Sequence, residues 1–409
     1  MRQGEEDLKK LLDSLAGSLL VNRDLNLLAV HSALQQVAAG IVSAFSAVFL
    51  LRQGFSLPAI FLSLGVIIVL RFAFRPAAAL AVQVIGLRST LIVGTFLYAA
   101  QGPLLAPVHG LNGWLVSYCL AAALAQAFYW AAYHAMFALV GSAADRGSQV
   151  GWRQLVIALA GPLGPAMGGL MLTFAGPWAA FGAAAVIELV AILPLLEVSR
   201  PTIVATVPDG AFAFYKRGIL LLGSDGWIFC SSSWAWSMIM FQALSSRYDA
   251  YGGVLAVLAV VGAFSGLALG HLIDRGHARR AAMINAATLA GTLIAKVVCG
   301  SSAVPVLAVA FGSTLLSGLY LPSLMTAIYN EAKASPCPFR FHFAAEVGWD
   351  TGGALACLIA AALCAHGFSL HGVIALAIPM VLFQAFALDA SYAARKSPVA
   401  VVEVELPSR

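Results

Sequence analysis

Apolar residues run through the chain in long, unbroken stretches. They fall at 27–51, 57–74, 79–100, 112–139, 150–174, 177–197, 219–245, 252–273, 281–299, 303–329, 343–366 and 369–391, bounded by Pro, Gly or charged residues. A helix needs about 20 apolar residues to cross a bilayer. The alternation expected of barrel strands is missing. The pattern therefore predicts an all-α integral membrane protein with twelve transmembrane helices, numbered here as spans 1 to 12 in chain order. The segment 1–26 has mixed charge, with Leu8, Leu11, Leu12, Leu15 and Leu19 at helical spacing. It reads as an amphipathic helix on the cytoplasmic membrane surface, or as a plain cytoplasmic tail. The longest internal connection, 199–218, contains Pro201, Pro208, Lys216 and Arg217. It reads as a cytoplasmic linker between a six-helix half at 27–198 and a second at 219–392, followed by a cytoplasmic tail at 393–409.

Composition sharpens the reading. Of 409 residues, 61% are hydrophobic and only 10% charged, against roughly 25% charged in a soluble domain. Mean hydropathy is +0.90. The lipid bilayer must therefore act as the solvent. The net charge of +5 carries no nucleic-acid signal, because its placement follows topology. Of the 23 Lys and Arg, all but Arg52, Arg247 and Lys296 lie in alternate connections or just inside the adjoining helix ends. The positive-inside rule then puts both termini in the cytoplasm and requires an even number of spans. With no leader ahead of span 1, a multi-pass protein of the plasma (inner) membrane is expected. Lys296, close to an outer helix end, is expected to snorkel to the interface.

The two halves resemble each other. GHLIDRGHARR at Gly270 to Arg280 aligns with ALAVQVIGLRS at Ala79 to Ser89, which places Arg88 on Arg279. At the same spacing Tyr129 falls on Tyr320. QVGWR at Gln149 to Arg153 then meets EVGWD at Glu346 to Asp350, after a small insertion within 331–345. Matches in one order argue for an internal repeat of the kind common in secondary transporters.

These features resemble the major facilitator superfamily over essentially the whole chain. That family carries a GxLaDRxGRR-like loop between helices 2 and 3 and a weaker copy between helices 8 and 9. Here the second copy is the intact one, with Gly270, Leu272, Asp274, Arg275, Arg279 and Arg280. In the first, Gln83 and Val84 replace the acid and the arginine, while Gly86 and Arg88 remain. A carboxylate and arginines at a helix end can latch a gate; a topogenic basic loop is the plainer account. Span 5 resembles the family's antiporter motif, g-x8-G-x3-GP-x2-GG, through Gly151, Gly164, Pro165, Gly168 and Gly169, with Ala160 in place of one glycine. Small residues allow close helix approach and a proline bends the helix. The resemblance implies a gating contact that accompanies export; a generic packing seam would use the same residues.

Polar side chains inside a membrane are costly and mark function by default. His31, Gln35 and Gln36 lie in span 1. Gln126, Tyr129, Trp130, Tyr133 and His134 form a stripe on span 4. The resemblance implies that helices 1, 4, 7 and 10 line a central cavity. That makes His31, Gln35, Gln126, Tyr129, Trp130, Tyr133, His134, Trp234 and Tyr320 the substrate-binding candidates, with helix packing and buried, hydrogen-bonded imidazoles as the plainer account. This set is aromatic and nearly uncharged, suited to an amphipathic or aromatic solute. Burial disfavours the charged form of a carboxylate, so Asp225, Asp350 and Glu188 are the proton-coupling candidates, with His31 and His134 as imidazole alternatives. Asp225 sits in GSDGW, which also reads as a helix cap. Asp350 aligns with Arg153 in the repeat, and an ion pair of these two at the cytoplasmic gate, structural rather than coupling, is the plainer account of Asp350. The gating set is Arg153, Gly164, Pro165, Gly168, Gly169, Gly270, Asp274, Arg275, Arg279 and Arg280.

No GxxxxGKS/T, HExxH, CxxC or GxSxG is present, so neither an enzyme nor a nucleotide-driven pump is expected. Six scattered cysteines read as small packing residues, and no metal or cofactor is expected. The sequence thus points to a secondary transporter, exporting a small organic or amphipathic solute by alternating access against a proton or other coupling ion, as a monomer. Uptake or facilitated diffusion of a small polar solute is one alternative. A transporter-like sensor or assembly component is another.

Overall fold

The computed structural model describes residues 23–140, 156–200, 212–272, 278–316, 320–335 and 338–394, and among them only helices form regular structure. In the first half these are α1 (Arg23–Arg52), α2 (Leu57–Leu105), α3 (Gly113–Val140), α4 (Leu163–Phe174) and α5 (Gly176–Glu197). In the second they are α6 (Phe212–Ala243), α7 (Tyr248–Leu272), α8 (Ala278–Val298), α9 (Ala303–Leu316), α10 (Tyr320–Ala334), α11 (Pro338–Ala365), α12 (Leu370–Ala375) and α13 (Ala377–Ala394). Eight described helical stretches are long and apolar enough to cross a membrane, and Ala282–Val298 and Ala303–Leu316 are shorter apolar helices.

The apolar runs and the helices correspond closely. Spans 2 and 3 are joined as α2, whose 49 residues would reach about 74 Å if straight, more than twice the roughly 30 Å hydrocarbon core. The chain turns instead at Gly86, where φ is 81° and ψ 165°, a conformation that suits glycine. Both arms of α2 consequently pack on α3: Cys119 Sγ lies 3.8 Å from the carbonyl oxygen of Ser63 in the first, and a Cβ at Gly94 in the second would lie 2.6 Å from the backbone nitrogen of Tyr129. The described residues of span 10 lie in α9 and α10, and span 12 is divided between α12 and α13. At the latter break the indole of Trp227 donates to the carbonyl of Leu376 at 2.9 Å, satisfying a polar group that lipid cannot.

Ion pairs sort the helix ends onto two faces. Arg23 pairs with Glu197, Arg217 with Glu331 at 3.4 Å and Arg279 with Asp389 at 2.7 Å. These pairs bring the starts of α1, α6 and α8 to the ends of α5, α10 and α13. On the opposite face Arg52 donates to the carbonyl of Ser246 at 2.6 Å and lies 4.7 Å from the Tyr248 ring centroid. The carbonyl of Lys296 there meets His371 Nδ1 at 2.8 Å, and its ammonium sits 5.3 Å from the Trp236 ring centroid. This is the sorting that alternating spans require.

The outer surface is lipid-like. On α5 alone, Val186, Leu189, Val190, Leu193 and Leu196 are exposed, one helical stripe with no polar relief. The halves meet chiefly where α2 packs on α11 and α4 on α7, with α1 touching α6.

Candidate functional site

The α2–α11 seam buries charge. Arg71 and Arg75 stand one helical turn apart on α2, and Glu346 and Asp350 one turn apart on α11. Spacing of four residues puts each pair on one face of its helix, so the two pairs can meet as complementary strips. The Nε of Arg71 donates to Asp350 Oδ1 at 2.5 Å, and the Nε of Arg75 donates to Oδ2. Arg75 Nη2 also donates to Glu346 Oε2 at 3.0 Å. Arg71 Nη1 donates to Gln126 of α3 at 3.0 Å, while its guanidinium lies 4.3 Å from the Trp349 ring centroid. Asp350 is fully buried, whereas the Glu346 side chain keeps 19% exposure and lies 3.9 Å from His134 Nε2. Arg153, the partner expected for Asp350, lies outside the described residues.

Trp349 links this cluster to Asp225. Its indole donates to Asp225 Oδ2 at 3.0 Å, and the Tyr320 hydroxyl donates to Oδ1 at 2.5 Å. Gln384 donates to the Tyr320 hydroxyl at 3.3 Å. Asp225 sits well inside α6 (Phe212–Ala243) and is therefore not a helix cap, although its flanking glycines first suggest one. Those glycines serve packing. α6 and α11 approach so closely that a Cβ at Gly223 would lie 3.3 Å from the carbonyl oxygen of Gly348.

The span 1 and span 4 candidates form a second, drier cluster. His31 is buried, with Nδ1 2.8 Å from the carbonyl oxygen of Ala191 and Nε2 3.1 Å from the Tyr129 hydroxyl. A carbonyl can only accept, so the Nδ1–H tautomer is the neutral form that satisfies both contacts, with Tyr129 donating to Nε2. Ser32 meets the Tyr133 hydroxyl at 2.7 Å. Tyr129 stacks on Tyr133 and meets Tyr98 edge-on. Gln35 is buried beside them. Glu188 of α5 is also buried, and its Oε2 has no hydrogen-bond partner.

The candidates thus separate by depth. His31, Gln35, Tyr129 and Tyr133 pack inside the first half. Gln126 and His134 reach the charged seam, and Trp130 bridges the two groups, stacked on His134 at 5.5 Å and edge-on to Tyr129 at 5.1 Å and to Tyr133 at 6.0 Å. Tyr320 belongs to Asp225. Trp234 meets Phe229 edge-on, and Phe229 in turn lies 5.9 Å from Trp349, ring centroid to ring centroid. Of the gating candidates, Gly164 and Gly168 lie against α1: a Cβ at Gly164 would sit 2.5 Å from the carbonyl oxygen of Val37, and one at Gly168 2.9 Å from the Phe45 ring. Gly169 faces α7 across the halves, and Pro165 is buried between these contacts. Arg279 is bound to Asp389 of α13, Arg280 is exposed and Gly270 lies in α7. Asp274 and Arg275 lie outside the described residues.

No one position of the sequence by itself marks Arg71, Arg75 or Trp349 as a candidate site residue, and the two arginines count there among topogenic charges. The signal was present in the matched four-residue spacing of Arg71/Arg75 and Glu346/Asp350.

The comparisons with known proteins agree with this architecture. The Major Facilitator Superfamily profile matches residues 28–336. No curated protein matches the chain in sequence. Among solved structures, the nucleoside transporter NupG superposes with a TM-score of 0.62 at 12% identity, covering 90% of this chain and 99% of that one. The human organic anion transporter MFSD10 (TETRAN) gives a TM-score of 0.62 at 15% identity, also covering 90% and 99%. At these identities the likeness is one of fold.

Proposed function

Because this chain belongs to the Major Facilitator Superfamily, we propose that it is a secondary transporter that exports a small organic, amphipathic solute in exchange for protons, by alternating access between its two halves. The observation that carries the reading is the polar chain Gln384–Tyr320–Asp225–Trp349–Arg71–Asp350–Arg75–Glu346, which runs from α13 into α2 through the seam between the halves. Buried ionic groups are costly in a membrane, and a scaffold has no use for them. A solute that enters between the halves meets this chain, and rocking of the halves breaks or remakes it.

Asp225 is the first candidate to carry the proton. Both its oxygens accept from neutral donors, so protonation breaks no ion pair. Protonating Asp350 would instead leave two buried guanidinium groups undercompensated. Glu188, unpaired at Oε2, is the second candidate. The glycine contacts of α4 with α1 and α7 support a gating role for Gly164, Pro165, Gly168 and Gly169, and export is the direction their motif accompanies. The aromatic walls at Trp130 and His134 suit a solute with an apolar body. Both structural neighbours named above carry small organic solutes, a nucleoside in one and an organic anion in the other. The protein then works as a monomer in the plasma membrane, with the Arg23–Glu197 face toward the cytoplasm.

Proton flux in inside-out vesicles tests the reading. Solutes from a diverse panel should collapse an imposed pH gradient through the native protein and not through Gly164→Leu. Collapse with uptake polarity would reverse the direction. Silence with every solute, together with a stable partner protein, would replace transport by a sensor role.

A further inference from the structure

The two carboxylates on α11 hold the arginines of α2 unequally. Asp350 takes the Nε of both, is wholly buried, and fixes the guanidinium planes. Glu346 accepts a single hydrogen bond, from Arg75 Nη2 to Oε2 at 3.0 Å, its Oε1 lies 3.9 Å from His134 Nε2, and it stands at the more exposed edge of the cluster. Arg75 Nη1 is buried with no hydrogen-bond partner. An unmet buried N–H is expensive, and more so on a charged group. The Nη1–Nη2 end of Arg75 is therefore a fork with one prong empty and the other occupied by a displaceable group. A carboxylate seated end-on fills both prongs, the strongest geometry an arginine offers.

We propose that this end of Arg75 is the anion-recognition site for a monoanionic organic acid with an aromatic body, and that Glu346 occupies the site when solute is absent. Charge selects the class. With His134 and His342, which stack on each other beside Glu346, in their neutral forms, Arg71 and Arg75 balance Asp350 and Glu346. If Glu346 swings to its exposed side and one carboxylate replaces it, the balance holds. A dianion would leave a negative charge in the seam, and a neutral solute or a cation brings no carboxylate to take the place of Glu346 on Arg75. Trp130, stacked on His134 beside Glu346, offers the wall for an aromatic body. The arginines thereby narrow the nearly uncharged solute that the span 4 stripe alone suggests. This inference rests on the transporter reading for its physiological meaning, but its test is a binding measurement on the full chain.

Calorimetry on the purified protein in nanodiscs compares 2-naphthoate with its neutral isostere 2-naphthamide. The acid should bind, and the amide about ten-fold or more weakly, since it cannot form the charged fork. Glu346→Gln removes the internal competitor, so naphthoate should bind about ten-fold tighter. A purely structural Arg75–Glu346 pair predicts no gain. Arg75→Lys keeps the charge beside Asp350 but removes the fork, and should abolish the preference for the acid. Equal binding of acid and amide, or unchanged or weaker naphthoate binding in Glu346→Gln, overturns the proposal. If a variant fails to fold, the comparison of acid and amide on the native chain still decides. No naphthoate binding in a protein that transports other solutes overturns this inference and leaves the transporter reading intact. Binding without transport of any solute does the reverse.

Discussion

Gly169 of α4 and Gly252 of α7 face each other across the two halves with no side chain between them. A Cβ at Gly169 would lie 2.5 Å from the carbonyl oxygen of Tyr248 and 3.0 Å from Gly252 Cα; one at Gly252 would lie 2.9 Å from Gly169 Cα. Two backbones in contact make a seam that admits no larger residue in this state. Gly252→Val should therefore disfavour this arrangement and reduce flux at least ten-fold while membrane insertion stays normal. Gly253, its neighbour, has open space around a Cβ, so Gly253→Ala should transport like the native protein. Vesicle flux, with surface labelling for insertion, reads both. Equal flux from all three proteins would remove the gating role of the seam.

The Asp350 charge is expected to matter most for stability. Asp350→Asn leaves Arg71 and Arg75 buried with a single half-buried carboxylate nearby. Breaking a buried pair by removing one partner costs about 3–5 kcal/mol. Thermal unfolding in detergent should show a clear drop in midpoint for Asp350→Asn and a much smaller one for Glu346→Gln, whose carboxylate is partly exposed.

Asp225→Asn keeps an acceptor for Tyr320 or Trp349 and should preserve the fold. It should abolish proton-driven flux while solute exchange across the vesicle membrane continues. If the pH dependence of flux is unchanged, the proton is carried at Glu188, and Glu188→Gln becomes the decisive variant.

The aromatic stripe of α3 should split under substitution. Tyr129→Phe strips the donor from His31 Nε2 in a closed cluster, and stability should fall by about 1–3 kcal/mol with little change in solute affinity. Trp130→Ala, beside the charged seam, should weaken solute binding instead. Unfolding midpoints and calorimetric affinities, measured on both variants, separate the two effects. The reverse pattern would make the His31 cluster the solute site.

What the sequence determined is what one-dimensional physics can carry. The length of each apolar run is set by bilayer thickness, so the helices were legible as runs, and the Lys and Arg asymmetry was legible as alternation between two faces. The short g-x3-GP-x2-GG pattern marked Gly164 and Gly169 for close contact, because only glycine leaves room for a neighbouring backbone. Gly86 was legible as part of a loop motif, although the positive φ with which it alone turns the chain between two helices was not. The tertiary structure decided which polar groups meet. Arg71 and Asp350 are far apart in the chain, and nothing along it says that α2 lies against α11. The same arginine is a topogenic charge if its helix end reaches water and a site residue if it faces a buried carboxylate. Asp225 reads as a cap from its flanking glycines, until the packing of α6 on α11 turns those glycines into a close contact. Its carboxylate then lies between Tyr320 and Trp349. Hydrophobic periodicity is local, whereas ion pairing in a low-dielectric seam depends on which helices the fold brings together.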